Sequence, residues 1–290
     1  MGFPKFTRRR FIGSGLITLA AAATVDGFVV EPGDPVAEYR GIRLTRLPEA
    51  FSGFRIAQIT DIHYGPYMTQ AGVRRALRLA QAFHPDLVAL TGDFVSHPLA
   101  QPNGPAGARY GEPCADVFAE WRKTAWKDVP IVAVLGNHDW WNGADIVAGA
   151  LGERGIKVLR NDSFALDRGR DRLWIAGIDD AYEGKSDITK SLARVPNSAA
   201  TVLLAHEPDF ADYAARFPVD LQLSGHSHGG QVRVPGIGPI ILPVLGEKYH
   251  TGLNRVGRLQ VYTSRGLGVI DPPVRLNCPP EVTLITLQRA

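Results

Sequence analysis

Five short clusters along the chain carry side chains able to bind divalent cations: Asp61-Ile62-His63, Gly92-Asp93, Gly136-Asn137-His138-Asp139, His206 and Gly225-His226-Ser227-His228. Their donors are carboxylate and amide oxygens and imidazole nitrogens, with no thiolate, a set that suits manganese, iron or zinc. Asp61 and His63 are separated by one residue, as are His226 and His228, so on an extended segment both members of each pair project to the same side. The glycines before Asp93, Asn137 and His226 permit sharp turns and close backbone approach. A lone buried Asp or His usually satisfies a turn or a backbone donor. Seven such groups facing one crevice would be costly to bury without a cation.

Each cluster follows an apolar run of strand length. Phe54 to Ile59 leads to Asp61, Leu87 to Leu90 to Asp93, Ile131 to Leu135 to Asn137, Val202 to Ala205 to His206, and Leu221 to Leu223 to His226. Leu173 to Ile178 leads in the same way to Asp179-Asp180. These runs are continuous rather than alternating, as expected of strands buried on both faces. In open α/β sheets function collects beyond the carboxyl ends of strands, so clusters distant in sequence can converge. Thr69 to Phe83 has helical periodicity, with Val73, Ala76, Leu77, Ala80 and Phe83 on one face and Thr69 as N-cap. That makes a βαβ unit and hence a partly parallel sheet. Asp145 to Glu153 reads as a second, weaker helix and Val282 to Leu287 as a closing strand. Residues 98–113, rich in Pro, Gly and Ala, read as a surface excursion near the site.

The five clusters, in this order and each after a strand, resemble the calcineurin-like metallophosphoesterase family. The stretch from Gly266-Leu267-Gly268 to Pro279-Pro280-Glu281 is similar to a bacterial subgroup of exported or membrane-associated members. The resemblance implies a four-layer αββα sandwich of two mixed β-sheets. It also implies two divalent ions: Asp61, His63 and His228 on one, Asn137, His206 and His226 on the other, and Asp93 shared by both. Two such ions, roughly 3.5–4 Å apart, supply a water nucleophile and polarise a phosphoryl oxygen. His138 is implied as the residue that protonates the leaving oxygen or stabilises transition-state charge. Asp139 either orients that imidazole or caps the backbone.

Other polar residues have ordinary readings beside the functional ones. Asp179 and Asp180 form a turn or reach the substrate. Arg265 and Arg275 serve their loops or hold a phosphate. His84 ends a helix, His97 is close enough to Asp93 to line the entrance, and His250 has no evident partner. Trp140 and Trp141 are either a core edge or an apolar wall. If exposed together with Trp121 and Trp126, they would suit a lipid-like substrate or membrane contact.

The formal charge of +3 is concentrated at the start, where Lys5, Arg8, Arg9 and Arg10 stand without an acid before residue 24. Taking those four from +3 leaves a body of −1, so no nucleic-acid partner is expected. Thr7-Arg8-Arg9-Arg10-Phe11-Ile12 resembles a twin-arginine export signal. The uncharged stretch from Phe11 to Val25 falls short of the roughly 20 residues a spanning helix needs. Ala21-Ala22-Ala23 offers a cleavage site. The expected organisation is a signal or N-terminal anchor over 1–26, a linker over 27–45 broken by Pro32, Gly33 and Pro35, and the catalytic domain over 46–290. The export machinery is then a partner, and the body lies in the periplasm or cell envelope. Cys114 and Cys278 are expected to be unpaired thiols.

The motifs leave monoester and diester substrates open. The export signal and the tryptophans point to phospholipid or cell-envelope phosphodiesters. The alternatives are a general phosphomonoesterase and a non-catalytic binding protein on the same fold. The latter would have lost metal-binding positions, and this chain retains all of them.

Overall fold

A computed structural model describes residues 21–96 and 107–290. The twin-arginine motif and His97 lie outside the described residues. Residues 21–25 are helical and run into short turns over Asp26–Val30 and Glu31–Gly33. The chain then enters β1 (Val36–Leu44), β2 (Arg55–Ile59), α1 (Gln70–Ala82) and β3 (Leu87–Thr91). After the undescribed stretch come α2 (Gly111–Lys123), β4 (Ile131–Val134), α3 (Asn137–Glu153), β5 (Lys157–Val158), β6 (Asp162–Arg168) and β7 (Asp171–Gly177). The second half holds α4 (Ile188–Ser191), β8 (Ala200–Leu204), α5 (Ala211–Ala214), β9 (Leu221–Ser224), β10 (Arg233–Val234), β11 (Gly238–Pro239), β12 (Gly252–Val256), β13 (Leu259–Thr263) and β14 (Glu281–Arg289).

The strands form two six-stranded mixed sheets and one small hairpin, β10–β11. One large sheet has the order β1-β14-β2-β3-β4-β5, with β14 antiparallel to β2 and the other pairs parallel. The other has the order β12-β13-β9-β8-β7-β6, with its outer pairs antiparallel and its inner pairs parallel. Alternate residues of the central strands serve opposite faces, as the pleat requires. Leu87 and Ala89 pack with Leu221, Leu223, Val202 and Leu204 between the sheets, whereas Val88 and Leu90 meet the helical layer. That layer contributes Val73 and Leu77 of α1, Val117 and Phe118 of α2, and Val147 and Leu151 of α3. Ile188 of α4 and Ala211 of α5 cover the outer face of the second sheet. This is the four-layer αββα sandwich.

Thr69 caps α1 as expected, its hydroxyl accepting from the Gly72 amide. Three local readings are corrected. Residues 36–44, taken as part of the linker, form β1 and pair in parallel with β14 along their whole length, from Val36–Glu281 to Leu44–Arg289. Only Ile42 and Leu44 of that strand are fully buried, so its own pattern is weak, and its partner lies at the far end of the chain. Residues 111–113, taken as part of the surface excursion, begin α2. Pro113 sits in its first turn, where a missing N–H costs nothing, and Cys114, Val117 and Phe118 supply the buried face. The helix expected from Asp145 begins earlier, at Asn137, and is broken at Gly143, whose φ is 109°.

Candidate metal centre

All seven metal-binding positions predicted from the sequence lie just beyond the carboxyl ends of β2, β3, β4, β8 and β9. Asp61, His63, Asp93, His226 and His228 adopt left-handed backbone conformations, with φ between 48° and 68°. Such conformations are uncommon for these residue types and persist where the surroundings over-determine them. Each turns the chain sharply after its strand, so the side chains point back over the sheet edge. Space at the backbone is equally tight. A Cβ at Gly136 would collide with the Asp93 carboxylate and the His206 ring, and one at Gly225 with the Asp61 carboxylate.

The side chains converge on Asp93. Its Oδ2 is 3.2 Å from His206 Nε2 and 3.5 Å from His63 Nε2. His63 and His228 approach Nε2 to Nε2 at 2.9 Å, and His228 Nε2 is 3.5 Å from Asp61 Oδ1. On the other side, His226 Nδ1 is 3.0 Å from Asn137 Oδ1. Asp61, His63 and His228 form one group that could hold an ion, and Asp61, Asp93 and His206 another.

Hydrogen bonds set the histidine tautomers. His206 Nδ1 donates to the Thr91 carbonyl at 2.7 Å, which turns Nε2 toward Asp93 and the site. His226 Nε2 donates to the Val244 carbonyl at 2.9 Å, leaving the lone pair of Nδ1 toward the Asn137 amide oxygen. Two acceptors at that separation repel unless a cation lies between them. Asp61 Oδ2 and His206 Nε2 are buried without a hydrogen-bond partner. Orphaned groups of this kind cost free energy that a bound cation would offset.

Charge in the cluster is balanced internally. Burial alone would raise the Asp93 carboxyl, but His206, His138 and His63 together hold it well below the usual carboxylate range. Burial pushes the Asp61 carboxyl up to about 7, against the pull of His206. Burial lowers His206 too, yet Asp93 and Asp61 outweigh it and hold that imidazole well above its ordinary value. Burial drives His63 and His228 well below theirs, with neighbouring imidazoles adding to the effect. Both are therefore neutral, the state a metal ligand needs.

A supporting layer fixes the loops. Asp139 accepts from four backbone amides: Asp93 at 2.9 Å, Phe94 at 2.8 Å, Val95 at 3.2 Å and Gly136 at 3.0 Å. Of its two readings, the backbone cap is the one with visible partners. Asp139→Ala is expected to destabilise the fold by about 3 kcal/mol or more, because buried donors lose an ionisable acceptor. Denaturant titration of wild type and variant measures it. Arg275 is fully buried. Its guanidinium donates to the carbonyls of Arg265, Gly266, Gly268 and Cys278. The loop it holds grips the first ligand turn, with Gly268 N donating to Asp61 O at 2.6 Å. Arg275 thus serves its loop, as does Arg265, which bonds the Pro279 carbonyl and pairs with Glu38 and Glu281. Which groups Arg275 holds was not readable from the sequence, because its partners are carbonyl groups, which leave no side-chain signature.

The remaining residues sort themselves. Asp179 accepts from Trp140 Nε1 at 2.9 Å and from Arg160 Nε at 2.8 Å, so it anchors the turn after β7. Asp180 bonds the Glu183 amide, and burial beside Glu207 pushes its carboxyl up to about 9. His84 ends α1 through its amide to Gln81 O. His250 takes part through its backbone, its carbonyl accepting from Ser227 Oγ at 2.6 Å and bracing the turn between His226 and His228, while its ring Nδ1 is buried without a hydrogen-bond partner. Cys114 and Cys278 are free, buried thiols, and Cys278 Sγ bonds the His228 carbonyl at 3.3 Å. The tryptophans do not form an exposed apolar face. Trp126 is buried in the core and Trp121 bonds Gln81, while Trp141 bonds Glu183 Oε1 at 2.8 Å.

A cavity of about 330 Å³ opens over the cluster. Its floor includes Asp93, Asn137, His138, His226 and His228. The aromatic residues Trp141 and Tyr182 and the aliphatic residues Pro243, Val244 and Ile270 line its sides. His138 occupies the first turn of α3, its amide donating to Asp93 Oδ1 at 2.9 Å. Its ring lies 4.6 Å from that of His63 and 4.6 Å from that of Trp141. The wall residues Tyr182, Pro243, Val244 and Ile270 carried no motif and were not singled out in the sequence.

The family profile for calcineurin-like phosphoesterases matches residues 54–230, the span that contains all five clusters. The chain is 31% identical to the uncharacterized metallophosphoesterase YkuE of Bacillus subtilis, over 98% of each chain. It is 32% identical to the phosphodiesterase YaeI of Escherichia coli, over 97% of this chain and 99% of that one. Among solved structures, the calcineurin-like phosphoesterase YfkN of Bacillus subtilis aligns over 80% of this chain and 90% of its own, with 13% identity and a TM-score of 0.47. The chain belongs to the calcineurin-like phosphoesterase family, and is a hydrolase of phosphoric esters.

Proposed function

We propose that this protein hydrolyses phosphodiesters with two divalent cations, held by Asp61, His63 and His228 on one side and by Asn137, His206 and His226 on the other, with Asp93 shared. The placement of Asp93 Oδ2 between His206 and His63 carries this reading, because one carboxylate there can serve both groups. When bound, the two cations supply a water nucleophile at neutral pH and polarise a phosphoryl oxygen. The chain's own residues do the rest. Hydrogen bonds from His206 and His226 to backbone carbonyls aim one nitrogen of each ring at the site. His138, on the floor of the cavity beside Trp141, is the group positioned to give a proton to the leaving oxygen. The lining offers a diester's substituents both aromatic and aliphatic surface. A relative whose name specifies phosphodiesterase supports the same preference.

The preferred substrates are phospholipid or envelope phosphodiesters, following the export signal in the first residues. In this reading the body is exported by the twin-arginine route and lies in the cell envelope. N-terminal sequencing of exported material checks it: a start near residue 24 marks cleavage, and an intact Met1 in membranes marks an anchor.

The activity is tested by loading pure protein with manganese, iron or zinc and assaying p-nitrophenyl phosphate and its bis-ester. Faster turnover of the bis-ester is expected, and no hydrolysis of either with any metal would overturn the reading. Metal affinity should also depend on pH. Asp61 must lose its proton to bind a cation, and its carboxyl has been pushed up to about 7. Apparent affinity is therefore expected to rise with pH through 7 and beyond it, because His206, held protonated by Asp93 and Asp61, must also lose a proton to bind. Isothermal titration with Mn²⁺ from pH 5.5 to 8 measures the slope.

A further inference from the structure

Residues 234–246, Val-Pro-Gly-Ile-Gly-Pro-Ile-Ile-Leu-Pro-Val-Leu-Gly, contain no polar side chain at all. A run of this kind belongs in a core, yet here it forms the β10–β11 hairpin and the loop after it, at the surface. Ile237 is 80% exposed, Ile241 77%, and Ile240 and Val244 61% each. Exposed apolar area on this scale calls for an apolar partner.

Three observations say what that partner is. First, the patch is continuous with the candidate active site. Pro243 and Val244 line the cavity, and the Val244 carbonyl accepts from His226. Second, the patch joins the point where the amino-terminal segment meets the fold. Ile240 N donates to Val232 O, the 231–233 backbone pairs with Leu276, and Arg275 N donates to Gly27 O. Around Gly27 stand more exposed apolar residues, Val25, Phe28, Val29 and Val30, with Val29 71% exposed. Third, the chain leading into that point is uncharged from Phe11 to Val25, with four cations before it. A basic, then apolar segment entering beside an apolar hairpin is the arrangement of an interfacial membrane contact.

We propose that the face bearing the hairpin docks on a lipid bilayer, so that the cavity opens onto the membrane surface and takes its phosphodiester from lipid headgroups. The docking half stands on the surface alone. The substrate half rests on the phosphoesterase activity proposed above. Ile237, Ile240 and Ile241 enter the interfacial region, and Pro243 and Val244 form the lip over which a headgroup reaches the metal ligands. The tryptophans take no part in the contact, being buried or hydrogen-bonded to acidic and amide side chains.

The test uses the full, metal-loaded chain. Because Cys114 and Cys278 are buried, an NBD fluorophore can be attached selectively to Ile241→Cys. A second sample carries it on Arg258→Cys, in the β12–β13 turn at the opposite end of the sandwich. Vesicles of phosphatidylethanolamine and phosphatidylglycerol are added, with and without doxyl-labelled lipid. The proposal expects a blue shift and doxyl quenching at position 241 and neither at 258. No change at 241, which a protein partner for this face would give, overturns it, as does an equal response at both positions. In parallel, the triple variant Ile237→Ser, Ile240→Ser, Ile241→Ser should lower the ratio of turnover on vesicle lipid to turnover on the soluble bis-ester about tenfold. An unchanged ratio refutes delivery from the membrane. Absence of all hydrolysis refutes the phosphoesterase reading instead, and the fluorophore still reports docking.

Discussion

Asp93→Asn is expected to lower kcat/KM on the bis-ester about a thousandfold, ~4 kcal/mol of transition-state stabilisation, and to reduce metal content. Asp93 Oδ2 lies near both His206 and His63, and its Oδ1 accepts from the His138 amide. Asparagine keeps the size and one acceptor oxygen but removes the charge and one of the two oxygens. The amide donor it introduces would face His206 Nε2, which now lies 3.2 Å from a carboxylate oxygen. Metal analysis of the purified variant alongside the kinetics separates this from simple unfolding, which circular dichroism would show. Wild-type turnover with a full metal complement would contradict the shared position of Asp93.

His138→Gln is the second large effect, with the opposite signature. The imidazole lines the cavity and packs against Trp141, and His138 holds the Asp93 loop through its backbone amide, which glutamine also provides. Metal content is therefore expected to stay at the wild-type level while kcat falls about a hundred- to thousandfold, the usual range for a lost general acid. The loss should shrink for a diester whose leaving group is a weak base, such as p-nitrophenolate, because that leaving group needs no proton. Comparing p-nitrophenyl and alkyl diesters reads this directly. An equal loss on both would assign His138 to charge stabilisation rather than proton donation.

Much of the architecture was legible in the chain, and the reason is physical. Central strands buried on both faces must be continuously apolar, so Leu87–Leu90 and Ile131–Leu135 announced themselves, and the chemistry follows where such strands end. The place of the candidate metal-binding clusters was legible for the same reason, but their backbone was not: Asp61–His63 and His226–His228 were expected on extended segments, whereas all four residues turn left-handed. β1 was not legible. Only Ile42 and Leu44 of that strand are fully buried, and its pairing with residues 281–289 is a contact no local pattern encodes. Arg275 was read as a loop residue or phosphate holder without any view of its task, because the carbonyls it grips come from a loop whose path is set by the fold. The tryptophan signal for a membrane face misled, since Trp126 is core and Trp140 and Trp141 spend their N–H groups on Asp179 and Glu183. The apolar surface comes instead from aliphatic residues 234–246, whose composition alone reads as interior.

The central claim is a pair of cations sharing Asp93. Anomalous diffraction from a crystal of the protein loaded with Mn²⁺ tests it most directly. Two peaks roughly 3.5–4 Å apart are expected, one beside Asp61, His63 and His228 and one beside Asn137, His206 and His226, each in contact with an Asp93 oxygen. A single peak, or a pair of which either member leaves Asp93 uncoordinated, would contradict it.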